Sequence, residues 1–308
     1  MIKAFLLFNL FTAILPAADK DFNGCWDILV DTGRGRVWWL EVQGAGTGKL
    51  TGSFVGAPGG QVDPLEKPAI VDGELRFTFV RGEVRQEYRA RFENGKLIGT
   101  MDATDKGARQ PALPWTGVRA AAIQDKDDSR WKEGKPVALF NGSDVAGWRL
   151  LRPDRPGWQV RNGTMVNAPG ASDIVSQAKF WNFILRAEFK YSKGSNSGIG
   201  LRGRYEIQIH DNYGRPPDVH GTGALYSRIA PSTNASRPPG EWQQIEARLV
   251  GRTLTVRLNG VTIIDHADVA GPTAITMDPN EAAPGPIVLQ GDHGPIEFRK
   301  VEVTPLNR

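Results

Sequence analysis

The sequence has little cysteine, little histidine and almost no long apolar runs. Its 308 residues include one cysteine, Cys25, and four histidines. A lone cysteine cannot close an internal disulfide, so the fold must be stabilised by burying apolar surface. Apart from residues 4–15, no apolar run approaches the roughly 20 residues that span a bilayer as a helix. These absences exclude a disulfide scaffold and a bundle of membrane helices.

The charge balance is also mild. There are 38 lysines and arginines against 34 aspartates and glutamates, for a formal charge of +4. The basic residues are scattered singly between apolar positions, without the clusters that track a phosphate backbone. No nucleic-acid partner is therefore expected. The apolar share of 40% excludes disorder, and the length suggests two domains, each able to bury its own core.

The amino terminus has the pattern of an export signal. A lysine at position 3 precedes the apolar run 4–15, and Leu15-Pro16-Ala17-Ala18 follows it. A positive start, a short apolar stretch and small residues are typical of a secretory signal peptide. We predict a signal peptide over residues 1–18 and a periplasmic or extracellular mature chain without a membrane span. The alternative is a retained anchor, for which the run is short.

Residues 19–119 predict a small all-β domain. Short segments alternate polar and apolar residues, as in strands with one wet face. Asp72-Gly73 and Asn94-Gly95 stand where two-residue hairpin turns require positive φ, which favours a β-meander or barrel. No site chemistry stands out here. Four tryptophans could form a sugar-stacking platform, although core packing is the simpler interpretation. They are Trp26, Trp38, Trp39 and Trp115.

Residues 120–136 are charged and lack apolar periodicity, so we predict a linker. From residue 137 to 308, about nine strand-like segments recur between Gly/Pro loops, with a hairpin signal at Asn259-Gly260. Helical periodicity is essentially absent. This pattern predicts an all-β fold in which a two-sheet antiparallel jelly-roll sandwich follows the small amino-terminal domain.

The segment 205–211 is the most informative in the sequence. On a strand, Tyr205, Ile207 and Ile209 would point into the sandwich. Three hydrogen-bonding side chains, those of Glu206, Gln208 and His210, would then share the opposite face.

The preceding segment repeats the pattern. Ile199 and Leu201 would point inward, whereas Gly198, Gly200 and Arg202 would share the outer face. If the two strands are neighbours, a carboxylate, an amide, an imidazole and a guanidinium stand above a glycine-lined cleft that suits a polyhydroxylated ligand. The alternative is an ordinary solvated strand face, but Gln and His flanked by Gly are poor strand formers.

The histidines are weighed in the same way. His210 and His293 lie at a strand end or in a Gly-bounded loop and are candidates for function, while His266 is interpreted as structural or solvated. His220 is left open. The spacing contains no metal motif, so a metal site would have to assemble Glu206 and His210 with Asp292 or His293 in space.

Several motifs from about residue 134 to the carboxyl terminus resemble the 3-keto-disaccharide hydrolase family. The motifs occur, in order, at residues 139–148, 158–163, 194–199, 205–212, 223–226, 238–242 and 285–290, followed by His293-Gly294 and Phe298-Arg299. The resemblance implies a concanavalin A-like lectin/glucanase sandwich. It also implies an oligosaccharide or glycoside substrate whose sugar is oxidised to a ketone at C3. The first hundred residues lie outside it.

A 3-keto sugar can react by elimination, because the ketone acidifies the C2 proton. Such chemistry needs a base, a group that stabilises the enolate oxygen and a proton donor for the leaving group. The predicted face carries one carboxylate. A double-displacement mechanism uses two carboxyl groups and is therefore disfavoured. We therefore predict Glu206 or His210 as base, Arg202 as enolate stabiliser and His293 as donor.

The remaining predictions concern the substrate contacts and the cofactor. The sequence establishes no cofactor, and a divalent metal ion that assists Arg202 is left open. A non-catalytic carbohydrate-binding module and a structural role at the cell envelope are the competing functions. The predicted substrate contacts are Asn196, Gln208, Asp211, Tyr226 and Gln290.

Overall fold

The structure is a computed structural model that describes residues 18–31, 37–56 and 61–308. It is all-β, as predicted, and its regular helical structure within those ranges is one 3-10 turn, Asp19–Phe22. The predicted signal peptide lies outside the described residues except for Ala18. No helix among the described residues is long and apolar enough to cross a membrane.

The amino-terminal part forms one antiparallel sheet of ten strands. The strand order is β4-β3-β2-β1-β10-β8-β7-β6-β5, with β9 paired to β8. The strands are β1 (Gly24–Val30), β2 (Val37–Gln43), β3 (Thr51–Val55), β4 (Asp63–Pro64), β5 (Glu66–Val71), β6 (Glu74–Arg81), β7 (Val84–Glu93), β8 (Lys96–Asp105), β9 (Ala108–Arg109) and β10 (Leu113–Arg119).

This sheet curls back on itself. The edge strands β4 and β5 are separated by Leu65 alone, and Arg81 on β6 reaches Asp63 on β4 at 3.1 Å. Its enclosed side is aromatic: Trp26, Trp38 and Trp115 pack in one core cluster. Core packing of these three tryptophans is thus confirmed. Trp39 alternates to the outer face and is also buried, so none of the four is an exposed sugar platform.

The carboxyl-terminal part contains two further sheets. The strands are β11 (Lys132–Glu133), β12 (Val137–Ala138), β13 (Trp148–Leu150), β14 (Trp158–Arg161), β15 (Thr164–Asn167), β16 (Ile174–Phe180), β17 (Phe183–Tyr191), β18 (Asn196–Leu201), β19 (Tyr205–His210), β20 (Gln243–Val250), β21 (Thr253–Leu258), β22 (Val261–Asp268), β23 (Gly285–Leu289) and β24 (Ile296–Asn307).

These two sheets form the predicted antiparallel sandwich. The larger has the order β14-β15-β24-β17-β20-β21-β22, with β11 and β12 also paired to β24, and the smaller has the order β13-β16-β23-β18-β19. Phe189 and Phe298 of the larger sheet share a core with Ile199, Ile207 and Leu289 of the smaller one. Each fully buried side chain of this kind contributes about 1.5–3 kcal/mol. The core fixes which side chains of β18 and β19 face away from it.

The hairpin signals are confirmed. Asp72, Asn94 and Asn259 all have positive φ and are each followed by a positive-φ glycine. These residues tolerate the left-handed region, so each pair closes a two-residue turn between neighbouring strands.

Part of the predicted linker is held against the sandwich. The Asp125 carboxylate accepts hydrogen bonds from the Trp181 indole and the Asn182 amide, both at 2.8 Å. Asp127 pairs with Arg248 at 2.7 Å. The connection between the two parts is therefore anchored by these contacts.

Candidate functional site

Strands β18 and β19 form the floor of the candidate site. They pair antiparallel, with Asn196 opposite His210 and Gly198 opposite Gln208. Tyr205, Ile207 and Ile209 point into the sandwich core, as predicted. Glu206 and Gln208 lie on the other face but are only 3% and 2% exposed, while His210 is half-buried. The face predicted to be a cleft is therefore largely covered.

Gly198 provides space for the Glu206 carboxylate. A Cβ placed on Gly198 would lie 2.4 Å from Glu206 Oε1, so any larger residue would displace the carboxylate. Gly200 differs from the prediction, because Val288 and Ile275 cover its face and would lie 2.9 and 3.3 Å from a Cβ at that position. The glycine-lined part of the cleft is thus confined to Gly198.

Residues 221–226 occupy the free edge of β19. The Gln208 N–H donates to Ala224 O at 3.0 Å, and the Tyr226 N–H donates to Glu206 O at 3.0 Å. Ile207 also forms a bridge with Leu225. These backbone bonds fix Tyr226 beside Glu206, although the two residues are twenty apart in sequence.

Tyr226 and His220 form the adjoining wall. Their rings are 5.1 Å apart between centroids, edge to face, and His220 Nε2 lies 3.0 Å from Ser227 Oγ. Burial raises the pKa of the Tyr226 phenol, and the Glu206 carboxylate raises it further. Tyr226 is therefore kept protonated as a hydrogen-bond donor, and His220, left open by the sequence, belongs to this wall.

Two buried amide oxygens on or next to the floor strands have no hydrogen-bond partner among the described residues. They are Gln208 Oε1 and Gln290 Oε1. Gln208 Nε2 donates to Asn196 Oδ1 at 3.2 Å, which fixes the amide, and the Gln290 N–H donates to Gly198 O at 3.0 Å. A buried unsatisfied acceptor costs about 1–3 kcal/mol. Hydroxyl groups of a bound polyol would satisfy both oxygens.

The loop after β23 carries His293. Its Nδ1 is 2.5 Å from Asp292 Oδ1. This hydrogen bond raises the pKa of His293, and the negative charges of Asp292, Glu206 and Asp173 act in the same direction. His293 is therefore held as a proton donor to higher pH than an isolated histidine.

Two residues missed by the sequence analysis shape this loop. Asn167 Nδ2 donates to Gly291 O at 2.8 Å and to Gly294 O at 3.0 Å, and its Oδ1 accepts from the Ile296 N–H at 2.7 Å. Asp173 Oδ1 accepts from the Gly291 N–H at 2.9 Å. Asn167 ends β15 and Asp173 directly precedes β16, and no local motif signals contacts more than a hundred residues apart in sequence.

The predicted position of Arg202 on the outer face of the floor strands is wrong. β18 ends at Leu201, and Arg202 has a φ of +52°, which turns its side chain off the alternating face. Its guanidinium donates to Trp181 O at 2.6 Å, Gly251 O at 2.9 Å and Asn182 Oδ1 at 3.1 Å, and it lies over the Trp181 ring. Burial lowers its pKa to about 10. Arg202 ties loops of the two sheets together and does not line the cleft.

We expect Arg202→Met to lower the free energy of unfolding by about 2–4 kcal/mol, because buried carbonyls lose their donor. Turnover per folded molecule should change little. Chemical denaturation and a folded-fraction assay measure the two effects. An unchanged unfolding curve combined with a large loss of turnover would restore the catalytic assignment.

Asp211 and His266 have local partners. Asp211 Oδ2 accepts from the Gly194 N–H at 2.8 Å and so fixes the loop before β18, while its role as a substrate contact stays a prediction. His266 is exposed beside Asp265, with its Nδ1 2.6 Å from Asp265 Oδ1.

The side chains proposed for a metal do not form a suitable donor set. Across residues 18–31, 37–56 and 61–308, no group of three or more His, Cys, Asp or Glu side chains is arranged to hold a metal ion. His293 is engaged with Asp292, and Asp173 with Gly291. Glu206, His210 and the 292–293 pair therefore do not fit the metal site that the sequence left open.

Two open grooves on the described residues lie outside the candidate site. One of about 640 Å³ on the amino-terminal sheet is lined by arginines such as Arg85 and Arg89, which already pair with Glu87 and Asp102. Another, of about 600 Å³, is bordered by Trp242, whose ring is covered by Lys190 and Arg299.

Comparison with known proteins places the carboxyl-terminal part in a defined group. The model of a family described as the 3-keto-alpha-glucoside-1,2-lyase-like domain matches residues 135–304. A Bacteroides thetaiotaomicron protein named 3-keto-disaccharide hydrolase is 25% identical over 199 residues, which cover 53% of this chain and 69% of that protein.

Two solved structures from Parabacteroides distasonis are also similar to this chain, and both proteins are provisionally named glycosyl hydrolases. One is 23% identical, with a TM-score of 0.48, and covers 56% of this chain and 94% of its own. The other is 27% identical, with a TM-score of 0.47, and covers 60% and 91%.

Proposed function

The chain belongs to the family of 3-keto-alpha-glucoside-1,2-lyase-like domains, and from that premise we propose that it cleaves glycosides whose sugar ring carries a ketone at C3. The observation that carries the proposal is the position of Glu206. Its carboxylate is buried above Gly198, and its charge acts on both the Tyr226 phenol and the His293 imidazole. A candidate base, a phenol kept protonated and an imidazole with a raised pKa therefore lie within electrostatic reach of one another.

This arrangement favours elimination over displacement. A retaining glycosidase needs two carboxyl groups about 5–5.5 Å apart, one as nucleophile and one as acid. Besides Glu206, the structure adds Asp173 and Asp292, which the sequence analysis did not count among the catalytic carboxylates. Asp173 accepts from the Gly291 N–H and Asp292 is bound to His293, so both serve the 291–294 loop.

The proposed reaction begins with removal of the C2 proton by Glu206. The electrons form an enolate on the C3 oxygen, which accepts a hydrogen bond from the Tyr226 hydroxyl. Preorganised donors of this kind are worth about 3–4 kcal/mol of barrier. Tyr226 takes the role that the sequence analysis gave to Arg202.

The enolate then collapses and the C1–O bond breaks. His293 gives its proton to the departing oxygen, which leaves with the bonding electrons. Water then adds to C1 of the resulting enone and gives its proton to His293, while C2 regains a proton from Glu206, whose acidic proton exchanges with solvent, so the sum is hydrolysis and both residues return to their starting states. The unpartnered oxygens of Gln208 and Gln290 accept hydrogen bonds from ring hydroxyls. We also propose that the protein is exported, as the signal-peptide pattern of residues 1–18 predicts.

The direct test is to incubate the purified chain with a 3-keto disaccharide and with the unoxidised disaccharide, and to follow products by mass. We expect cleavage of the keto sugar alone. Binding of both sugars without product would instead support a carbohydrate-binding module, and cleavage of the unoxidised sugar would contradict the elimination chemistry.

Asp292→Asn should move the alkaline limit of kcat/KM to lower pH. Asp292 raises the pKa of His293, so a neutral amide in its place lets His293 lose its proton earlier and removes the acid. A pH–rate profile measures the shift, with Asp265→Asn as control because Asp265 makes the same contact with the exposed His266. An alkaline limit that stays in place would exclude His293 as the donor.

A further inference from the structure

The outer face of the amino-terminal sheet packs against the sandwich through Trp39. The Arg228 guanidinium lies 4.6 Å from the centre of the Trp39 ring. A Cβ on Gly271 would stand 2.5 Å from that ring, so the Gly271 backbone lies directly against the indole. Trp39 is almost fully buried, and Arg228 is half-buried, which lowers the pKa of its guanidinium to about 10. The contact therefore joins the two parts of the chain without intervening solvent.

Arg228 is part of the turn that carries Tyr226. The Arg228 N–H donates to Leu225 O at 2.9 Å, and the Ser227 N–H donates to Val219 O at 2.9 Å, with a φ of +59° at Ser227. This turn is short and tightly bonded, so a shift of Arg228 moves Tyr226 with it. The Tyr226 N–H is in turn bonded to the backbone of Glu206.

A second connection runs through residues 271–275. Arg228 donates to Pro272 O at 2.7 Å, which joins this loop to the turn. The hydroxyl of Thr273 accepts from the Glu206 N–H at 2.9 Å. Gly271, which lies against Trp39, is therefore two residues from the group that fixes the Glu206 backbone.

The amino-terminal sheet also acts on the site electrostatically. The positive charge of Arg81, at the end of β6, lowers the pKa of the Tyr226 phenol and so opposes the effect of Glu206. Arg81 is fixed by Asp63 at 3.1 Å. Two strands of this sheet thus influence the same tyrosine, one by packing and one by charge.

We propose that the amino-terminal sheet is a working part of the cleft, in which Trp39 is a positioning residue that holds Tyr226 and Glu206 through Arg228 and the 271–273 loop. The catalytic half of this inference rests on the proposed function, whereas the positioning half does not. It assigns a role to the hundred residues that lie outside the family match.

Hydrogen exchange tests the positioning directly in the full-length chain. Trp39→Ala should speed amide exchange at Glu206 and over residues 225–229 by tenfold or more, a local loss of about 1.4 kcal/mol. Trp38→Ala is the matched control, because Trp38 is the next residue on the same strand but packs into the amino-terminal core against Phe54 and Tyr88. It should leave exchange at those sites unchanged.

Arg228→Gln breaks the same contact from the sandwich side and serves if Trp39→Ala does not fold. Equal exchange rates at Glu206 and residues 225–229 in the wild type and in Arg228→Gln would overturn the inference, as would equal acceleration by Trp38→Ala. If the wild-type chain cleaves no 3-keto glycoside, the proposed function is refuted. Hydrogen exchange still decides the positioning role in that case.

Activity adds a second readout. Because Trp39 does not touch substrate, Trp39→Ala should lower kcat by about tenfold or more with little change in KM, since small misplacements of reacting groups are costly. Trp39→Phe keeps an aromatic face beneath Arg228 and should restore most of the loss. Full kcat in Trp39→Ala would contradict the positioning role.

Discussion

Glu206→Gln should lower kcat on a 3-keto disaccharide by about 10²-fold or more, the usual contribution of a general base. The amide has nearly the shape of the carboxylate, so the pocket above Gly198 and the backbone bonds to Thr273 and Tyr226 should persist. Substrate binding should therefore change less than turnover. Steady-state kinetics with a folding check by circular dichroism separate the two.

Glu302→Gln is the matched control for this prediction. Glu302 lies on β24 of the larger sheet, where its partner is Lys300 at 3.4 Å, and it has no contact with the cleft residues described above. It should retain wild-type kcat. A Glu206→Gln enzyme with near-normal kcat would exclude Glu206 as the base and leave His210 as the alternative.

Asp27→Asn should stabilise the protein at alkaline pH. Asp27 is fully buried where the amino-terminal sheet faces the sandwich, and neither carboxylate oxygen has a hydrogen-bond partner among the described residues. Nearby, Glu281 is already bound by Tyr205 and Arg252 at 2.7 Å each. Burial, followed by the charge of Glu281, raises the pKa of Asp27 to about 8.

The raised pKa fixes the direction of the pH dependence. The folded state holds a proton on Asp27 that the unfolded chain releases near pH 4, so stability falls as pH rises from about 4 and reaches its full loss above pH 8. Asn cannot ionise and avoids this loss. We expect a gain on the order of 2–4 kcal/mol at pH 9 and almost none at pH 4.

Thermal midpoints measured across that pH range test this prediction. Asp102→Asn is the control of opposite sign, because hydrogen bonds from Arg109 and Arg89 lower the pKa of that carboxyl. It should not stabilise the protein at any pH. If the difference in thermal midpoint between wild type and Asp27→Asn is the same at pH 4 and pH 9, Asp27 is ionised in the folded protein at both pH values, which would contradict this prediction.

The strands of the candidate site could be predicted because their signal is local. Alternation in residues 205–210 separates Ile207 from Glu206 whatever else the chain does, and the structure follows it. The same rule failed at Arg202, since alternation holds only while the strand continues and Arg202 begins a turn with positive φ. The alternating pattern of residues 197–202 did not indicate that the strand ends before Arg202.

The covering of the site could not be predicted from periodicity. Residues 221–226 on the edge of β19, Thr273 on the Glu206 N–H and Asn167 on the 291–296 loop are contacts between distant parts of the sequence. They depend on how loops cross the sheet, and strand patterns contain no information about that. Gly200 illustrates the result, since the open floor expected there is closed by Ile275 and Val288.

The central claim is that Glu206 removes a proton from C2, and the reaction in D₂O tests it most directly. If elimination and hydration occur, the 3-keto sugar released by the enzyme carries one deuterium at C2, after subtraction of the exchange seen when the product alone is held in the same buffer. Mass spectrometry and proton NMR locate the label. A product with hydrogen fully retained at C2, together with no primary isotope effect on kcat from a substrate deuterated at C2, would contradict the account and support direct displacement at C1.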